Sequence, residues 1–153
     1  MFNTMKIALC ASITFTVEIK NVKENLEKMG HEVEIPFTAS RILQGEIDLE
    51  KFLEDKAKNG DSKFRESVAQ KSFADPIKRY FKIIKNSDAI LVLNFDKNNI
   101  ADYIGGNTFL EMGFAYVLDK PIYLYNAIPE MLYNDELEAM KPIVINHNLN
   151  MIK

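Results

Sequence analysis

The chain predicts a doubly wound α/β fold of the flavodoxin and Rossmann-like kind: a five-stranded, mainly parallel sheet in the order 2-1-3-4-5, with helices on both faces. Three observations predict it. Strand-like and helix-like segments alternate along the sequence. The strands are almost continuously apolar, as strands covered on both faces must be. The intervening stretches carry helix start and stop signals.

Lys6–Ala11 reads as the first strand. Phe15, Ile19, Val22, Leu26 and Met29 then recur at helical spacing, and Gly30 supplies the stop. Glu32–Ile35 is a short second strand closed by Pro36. Asp75-Pro76 is a helix start, an N-cap followed by proline at the first helical position, with Ile77, Tyr80, Phe81 and Ile84 on one face. Ala89–Phe95 is the strongest strand. A helix follows from Thr108, then a strand at Ile122–Tyr125, a short helix near Asp135–Met140 and a last strand at Ile143–Ile145. Residues 37–74 interrupt this rhythm as a charged insertion in one domain spanning 1–153, with helices expected around Ile47–Lys58 and Phe64–Gln70. That insertion reads either as a cover over a site or as a solvated excursion.

Composition narrows the function. Of 153 residues, 47% are hydrophobic and 27% charged, which suits one globular domain with a real core. Cys10 is the only cysteine and His31 and His147 are the only histidines, so a zinc site built on cysteines or histidines is not expected, nor is any other metal site. A chain with a single thiol suits the reducing cytosol. The apolar run after Lys6 is broken by Ser12, Thr14 and Thr16, which favours a buried strand over a signal-peptide core, and no run has the ~18 apolar residues of a membrane span. From Asn86 onward there are four lysines, no arginine and nine acidic residues, a balance that repels duplex nucleic acid.

In doubly wound sheets ligands bind beyond the carboxyl ends of the strands, so the loops after Ala11, Phe95 and Tyr125 carry the functional argument. The first holds Ser12, Thr14 and Thr16, hydroxyls suited to a phosphate or ribose at a helix start, or to capping alone. It lacks both the G-x-G-x-x-G and the P-loop patterns. The second ends in Gly105-Gly106-Asn107-Thr108, where glycines permit close backbone approach and a helix start offers free N–H groups. Ser12 and these four residues are expected to converge on one anion or sugar site. Glu111 follows in a helix that is apolar nearly all round. Two readings stand: Thr108-x-x-Glu111 fits a capping box, and a partly desolvated carboxylate fits a reacting group. Asp96 and Asp102 flank the loop, as turn residues or catalysts. Tyr80, Tyr103 and Tyr116 read as packing with a polar tip.

Ser-Asp-Ala-Ile-Leu-Val-Leu-Asn (87–94), Gly-Gly-Asn-Thr-x-x-Glu-Met-Gly-x-Ala-Tyr (105–116) and Lys-Pro-Ile (120–122) resemble the nucleoside 2-deoxyribosyltransferase superfamily, which includes deoxynucleotide N-glycoside hydrolases. The likeness runs from about Asp75 to Asn126, and Cys-Ala-Ser-Ile (10–13) echoes the hydrolases' first loop. It implies cleavage or transfer at the N-glycosidic bond of a nucleoside or nucleotide, with Glu111 as nucleophile and Asp102 near sugar or base. Tyr80 and Asn126 join Ser12 and the glycine turn in the implied substrate-binding set. The resemblance also implies a homodimer or larger oligomer and no cofactor. Two departures stand out: the first strand lacks the transferases' tyrosine, and Tyr80 occupies the place of their aspartate. A non-catalytic nucleotide-binding or sensing module of the same fold is therefore the alternative, with a flavodoxin-like flavin carrier behind it.

Overall fold

Five strands form one all-parallel sheet in the order β2-β1-β3-β4-β5. They are β1 (Lys6–Cys10), β2 (Glu32–Glu34), β3 (Ala89–Val92), β4 (Ile122–Leu124) and β5 (Ile143–Val144). The computed structural model describes residues 3–58 and 75–153. Its helices are α1 (Thr16–Lys28), α2 (Phe37–Leu43), α3 (residues 49–58), α4 (Pro76–Lys85), α5 (Gly106–Val117) and α6 (Asn134–Ala139). None is long and apolar enough to cross a membrane.

Strand side chains alternate in direction, so the sheet feeds two cores. Ile7, Leu9, Leu91, Leu93, Tyr123 and Ile145 pack with Ile19, Val22 and Leu26 of α1. Ala8, Cys10, Ile90, Val92, Ile122 and Leu124 pack with Ile84 of α4, Met112 and Ala115 of α5 and Leu137 of α6. In register, Cys10 lies beside Val92 and Val92 beside Leu124, which brings the carboxyl ends of three strands level.

Two helix boundaries follow the sequence signals. Gly30, at φ +93°, ends α1 in a left-handed turn in which the Gly30 and His31 N–H groups donate to Glu27 and Leu26 carbonyls. Asp75 accepts from the Lys78 N–H at 3.0 Å and caps α4.

Two expectations need correction. Strands β1, β3 and β4 stop short of Ala11, Phe95 and Tyr125 because the chain leaves the ladder to build loops: Asn94, fully buried, bonds the loop after β4 through its side chain. The start of the insertion is not an excursion either. Helix α2 begins directly after Pro36, buries Ala39 in the first core, and places the Phe37 ring 4.1 Å under the Arg79 guanidinium. Helix α3 buries Phe52. The helix expected at Phe64–Gln70 lies outside the described residues.

Candidate functional site

Parallel order 2-1-3-4-5 makes β1 and β3 the neighbours from which the chain winds in opposite directions, opening a crevice at their carboxyl ends. The loops after β1 and β3 meet there. Ser12 accepts from the Thr14 N–H at 3.4 Å, capping the short 3-10 turn Ile13–Phe15, and its hydroxyl also accepts from Lys97 Nζ at 2.8 Å. Lys97 lies 5.6 Å from the centre of the Tyr103 ring. Tyr103 in turn fills the space beside Gly105, where an added Cβ would stand 3.3 Å from its Cε1. Contacts therefore run unbroken from Ser12 to the glycine turn. Gly106 and Asn107 are exposed and Thr108 is buried.

The capping-box reading of Glu111 fails. Gly105 is the N-cap of α5, without a side-chain cap, and Gly106 is the first helical residue. Glu111 is thus the sixth and sits in the second turn, beyond reach of the helix's free N–H groups. Thr108 is the third helical residue rather than the cap. The glycine turn, not threonine, ends the loop because its extended backbone at φ −78°, ψ 170° turns straight into the helix.

From the second turn Glu111 points into the α4–α5 side of the sheet. Its Oε2 is buried without a hydrogen-bond partner among the described residues. Burial pushes the carboxyl up to about 7, and the Cys10 thiol opposes part of that rise. Burial also pushes the Cys10 thiol well up, with the Glu111 charge adding to it. Beside them, Tyr80 donates its hydroxyl to the Leu9 carbonyl, and burial, followed by the charges of Cys10 and Glu111, raises it well above the usual phenol range. Tyr80 is thus a neighbour of Glu111 whose proton is held by β1.

Asp102 is not part of that cluster. Its backbone is left-handed at φ 55°, and its N–H donates to Asp96 Oδ1 at 3.0 Å. Partial burial and the Asp96 charge raise its carboxyl, while His147 pulls it back. Asn126 is held from two sides. Its N–H donates to Asn94 Oδ1 and its Nδ2 to the Asn94 carbonyl, both at 2.9 Å, and its Oδ1 meets His147 Nε2 at 2.5 Å. A row of rings runs across the same edge, one from each loop after β1, β3, β4 and β5: Phe15 meets Phe95, Phe95 meets Tyr125, and Tyr125 stacks on His147 at 4.5 Å.

The sheet edge thus carries two polar groups: Cys10, Tyr80 and Glu111 on the α5 side, and Asp96, Asp102 and Asn126 with His147, the last ring of the row. Cys10, Asn94, Lys97 and His147 were not expected site residues. The findable signals were Cys10 in phase with Ala8 facing α5, and Asn94 as a polar residue ending an apolar strand. Among the described residues no group of three histidine, cysteine or acidic side chains could hold a metal. A groove of about 510 Å³ lies elsewhere, lined by Ile100, Met131, Leu132 and Tyr133, and none of the expected site residues borders it. Compared with protein-family models, curated proteins and solved structures, the chain matches none.

Proposed function

We propose that this protein acts in the cytosol on the N-glycosidic bond of a nucleoside or nucleotide, a 2′-deoxy one by preference, through Glu111. The observation that carries the reading is the Glu111 carboxyl: outside the capping position, with Oε2 buried and unbonded among the described residues and its proton held to about 7. A carboxyl oxygen buried without a partner costs the fold free energy, and groups perturbed in this way cluster at reacting sites. The residue pattern around it, resembling the nucleoside 2-deoxyribosyltransferases, supplies the substrate class.

The chemistry follows. The ionised carboxylate attacks the anomeric carbon while the C–N bond breaks; its electron pair stays on the base nitrogen, which takes up a proton. The transition state is oxocarbenium-like, and the product is a glycosyl ester of Glu111. Water or a second base then attacks the same carbon and frees the glutamate. The Ser12–Lys97 pair and the start of α5 suit the sugar hydroxyls or a phosphate.

One observation favours a non-catalytic nucleotide-binding module instead: the Tyr80 hydroxyl serves the Leu9 carbonyl, so it does not steady the carboxylate. Incubating the protein with deoxynucleosides and their monophosphates, and following free base by chromatography, decides between them. Base release dependent on Glu111 is expected; binding without release would establish the module.

A further inference from the structure

Three helices cover one face of the sheet, and their contacts fix their order. Helix α5 stands in the middle. Its Phe114 meets Phe81 of α4 at 5.2 Å on one side, and its Phe109 stacks on Tyr133, the residue that opens α6, at 4.5 Å on the other. Ile84 of α4, Met112 and Ala115 of α5 and Leu137 of α6 enter one core, so the opposite surface of this layer faces outward.

That outward surface changes character from side to side. On α4, Lys78, Lys82 and Lys85 recur at helical spacing and are exposed. Lys78 comes within 4.0 Å of Asp75, while Lys82 and Lys85 have no ion pair among the described residues. On α5, Leu110, Tyr116 and Val117 are exposed, and Gly113 leaves open space between them. On α6, Asp135, Glu136 and Glu138 are exposed and also lack ion pairs among the described residues. The layer runs basic, apolar, acidic.

Such an order is its own complement. Stacked on a second copy about a two-fold axis that runs along α5, the layer sets each α4 opposite the partner's α6 and α5 against its own copy. Lysines then face carboxylates. An axis at right angles to α5 would set lysines against lysines, so the charges select the first arrangement. The opposed groups also stand at one height. Lys85 ends α4 four residues before β3 begins, and Ala139 ends α6 four residues before β5 begins. In register the first residue of β5, Ile143, is level with Leu91, two residues into β3. At the axis Gly113 lets two α5 helices approach closely, with Leu110 and Val117 on either side. Three helices ~10 Å apart and ~18 Å long present roughly 500 Å² per copy. That is the lower end of specific interfaces, as a reversible pair requires.

We propose that the protein binds a second copy of itself through the outer face of α4, α5 and α6, about a two-fold axis along α5, with the α4 lysines on the partner's α6 carboxylates. The charge order gives both the face and the axis, and neither depends on the reaction at Glu111.

Cys10 is the only cysteine and is buried, so one cysteine placed on α5 reports the pairing in the whole protein. Val117→Cys is expected to form a disulfide-linked dimer on mild oxidation, because the two residues face each other across the axis. With the α5 helices antiparallel about Gly113, the same residues would lie about 12 Å apart and would not link. Lys82→Glu with Lys85→Glu, and separately Glu136→Lys with Glu138→Lys, are each expected to weaken the dimer by about tenfold in sedimentation over a concentration series. Mixing the two variants, or joining all four changes in one chain, is expected to restore it, since lysines again face carboxylates. All the altered residues are exposed, so the fold is expected to hold. A wild type that stays monomeric at every concentration would overturn the pairing. Absence of a link at Val117 would overturn the axis, and absence of restoration on mixing the contact between α4 and α6.

Discussion

The Lys97 ammonium donates to the Ser12 hydroxyl at 2.8 Å, tying the loop after β3 to the loop after β1 across the crevice of the sheet. In a half of the chain where acidic residues outnumber lysines nine to four, this places a cation where an anion would enter. If the substrate is phosphorylated, Lys97→Met should weaken binding of a deoxynucleoside monophosphate by about tenfold, or ~1.4 kcal/mol, while affinity for the parent nucleoside stays level. Isothermal titration with the two ligands reads the difference. Equal losses would mean that Lys97 only shapes the loop.

Gly105 and Tyr103 set the mouth of the same crevice. A methyl group on Gly105 would press on Tyr103 Cε1 at 3.3 Å, and the Gly105 backbone, at φ −78°, would itself accept alanine. Gly105→Ala should therefore cost about 1 kcal/mol through the ring alone. In a Tyr103→Leu background most of that cost should vanish, and urea unfolding of the four proteins of the cycle measures it.

Much of this architecture is legible in the residues. Apolar continuity in Ala89–Val92, the Gly30 stop and the Asp75-Pro76 start are local signals that tertiary structure kept. Helix α2 was hidden because Thr38 and Ser40 dilute its apolar face and Pro36 reads as a stop, although proline also permits a helix to begin directly after it. Glu111 was legible as a residue of interest, with the cap and the reacting group both left open by its spacing. Its choice between cap and core depended on whether the helix begins at Gly106 or near Thr108, and boundaries are the least local feature of a helix. The Asn94–Asn126–His147 chain spans three strands, so no spacing along the sequence could show it. Of the aromatics in the second half of the chain, Tyr123 is buried, Phe109 stacks on Tyr133 and Phe114 meets Phe81. These rings serve the monomer.

One face that a partner could cover is the outer side of α5, where Leu110, Tyr116 and Val117 are exposed, the last at 72%. Gly113 lies between them with open space where a side chain would be. If a second copy covers this face, Val117→Glu should yield a monomer by light scattering. Base release should fall with it if the neighbour closes the site. A wild type that is already monomeric would remove the oligomer from the reading.

Cys10 offers a finer probe of Glu111. The thiol opposes the upward push of burial on the carboxyl. Cys10→Ala removes that opposition, so Glu111 should titrate above its present value of about 7 and the alkaline rise in base release should move to higher pH. An unmoved profile would mean that the pH dependence belongs to another group.

Glu111→Gln separates chemistry from folding most sharply. Only the ionised carboxylate can attack, so wild-type base release should climb as pH rises through about 7. The glutamine variant keeps the shape and should bind substrate, yet its turnover should fall by orders of magnitude at every pH. Stability should move the other way. The folded carboxyl holds its proton to about 7, whereas the unfolded one releases it near 4.5. Between those values the folded chain binds more protons than the unfolded chain, so wild-type stability falls as pH rises through the window and is lowest above about 7. Glutamine removes that penalty. Urea unfolding should show the variant more stable by up to ~3 kcal/mol at pH 8 and nearly level with wild type at pH 4, where both carboxyls are largely protonated. A variant that loses stability at pH 8 while keeping full base release would return Glu111 to an ordinary structural residue.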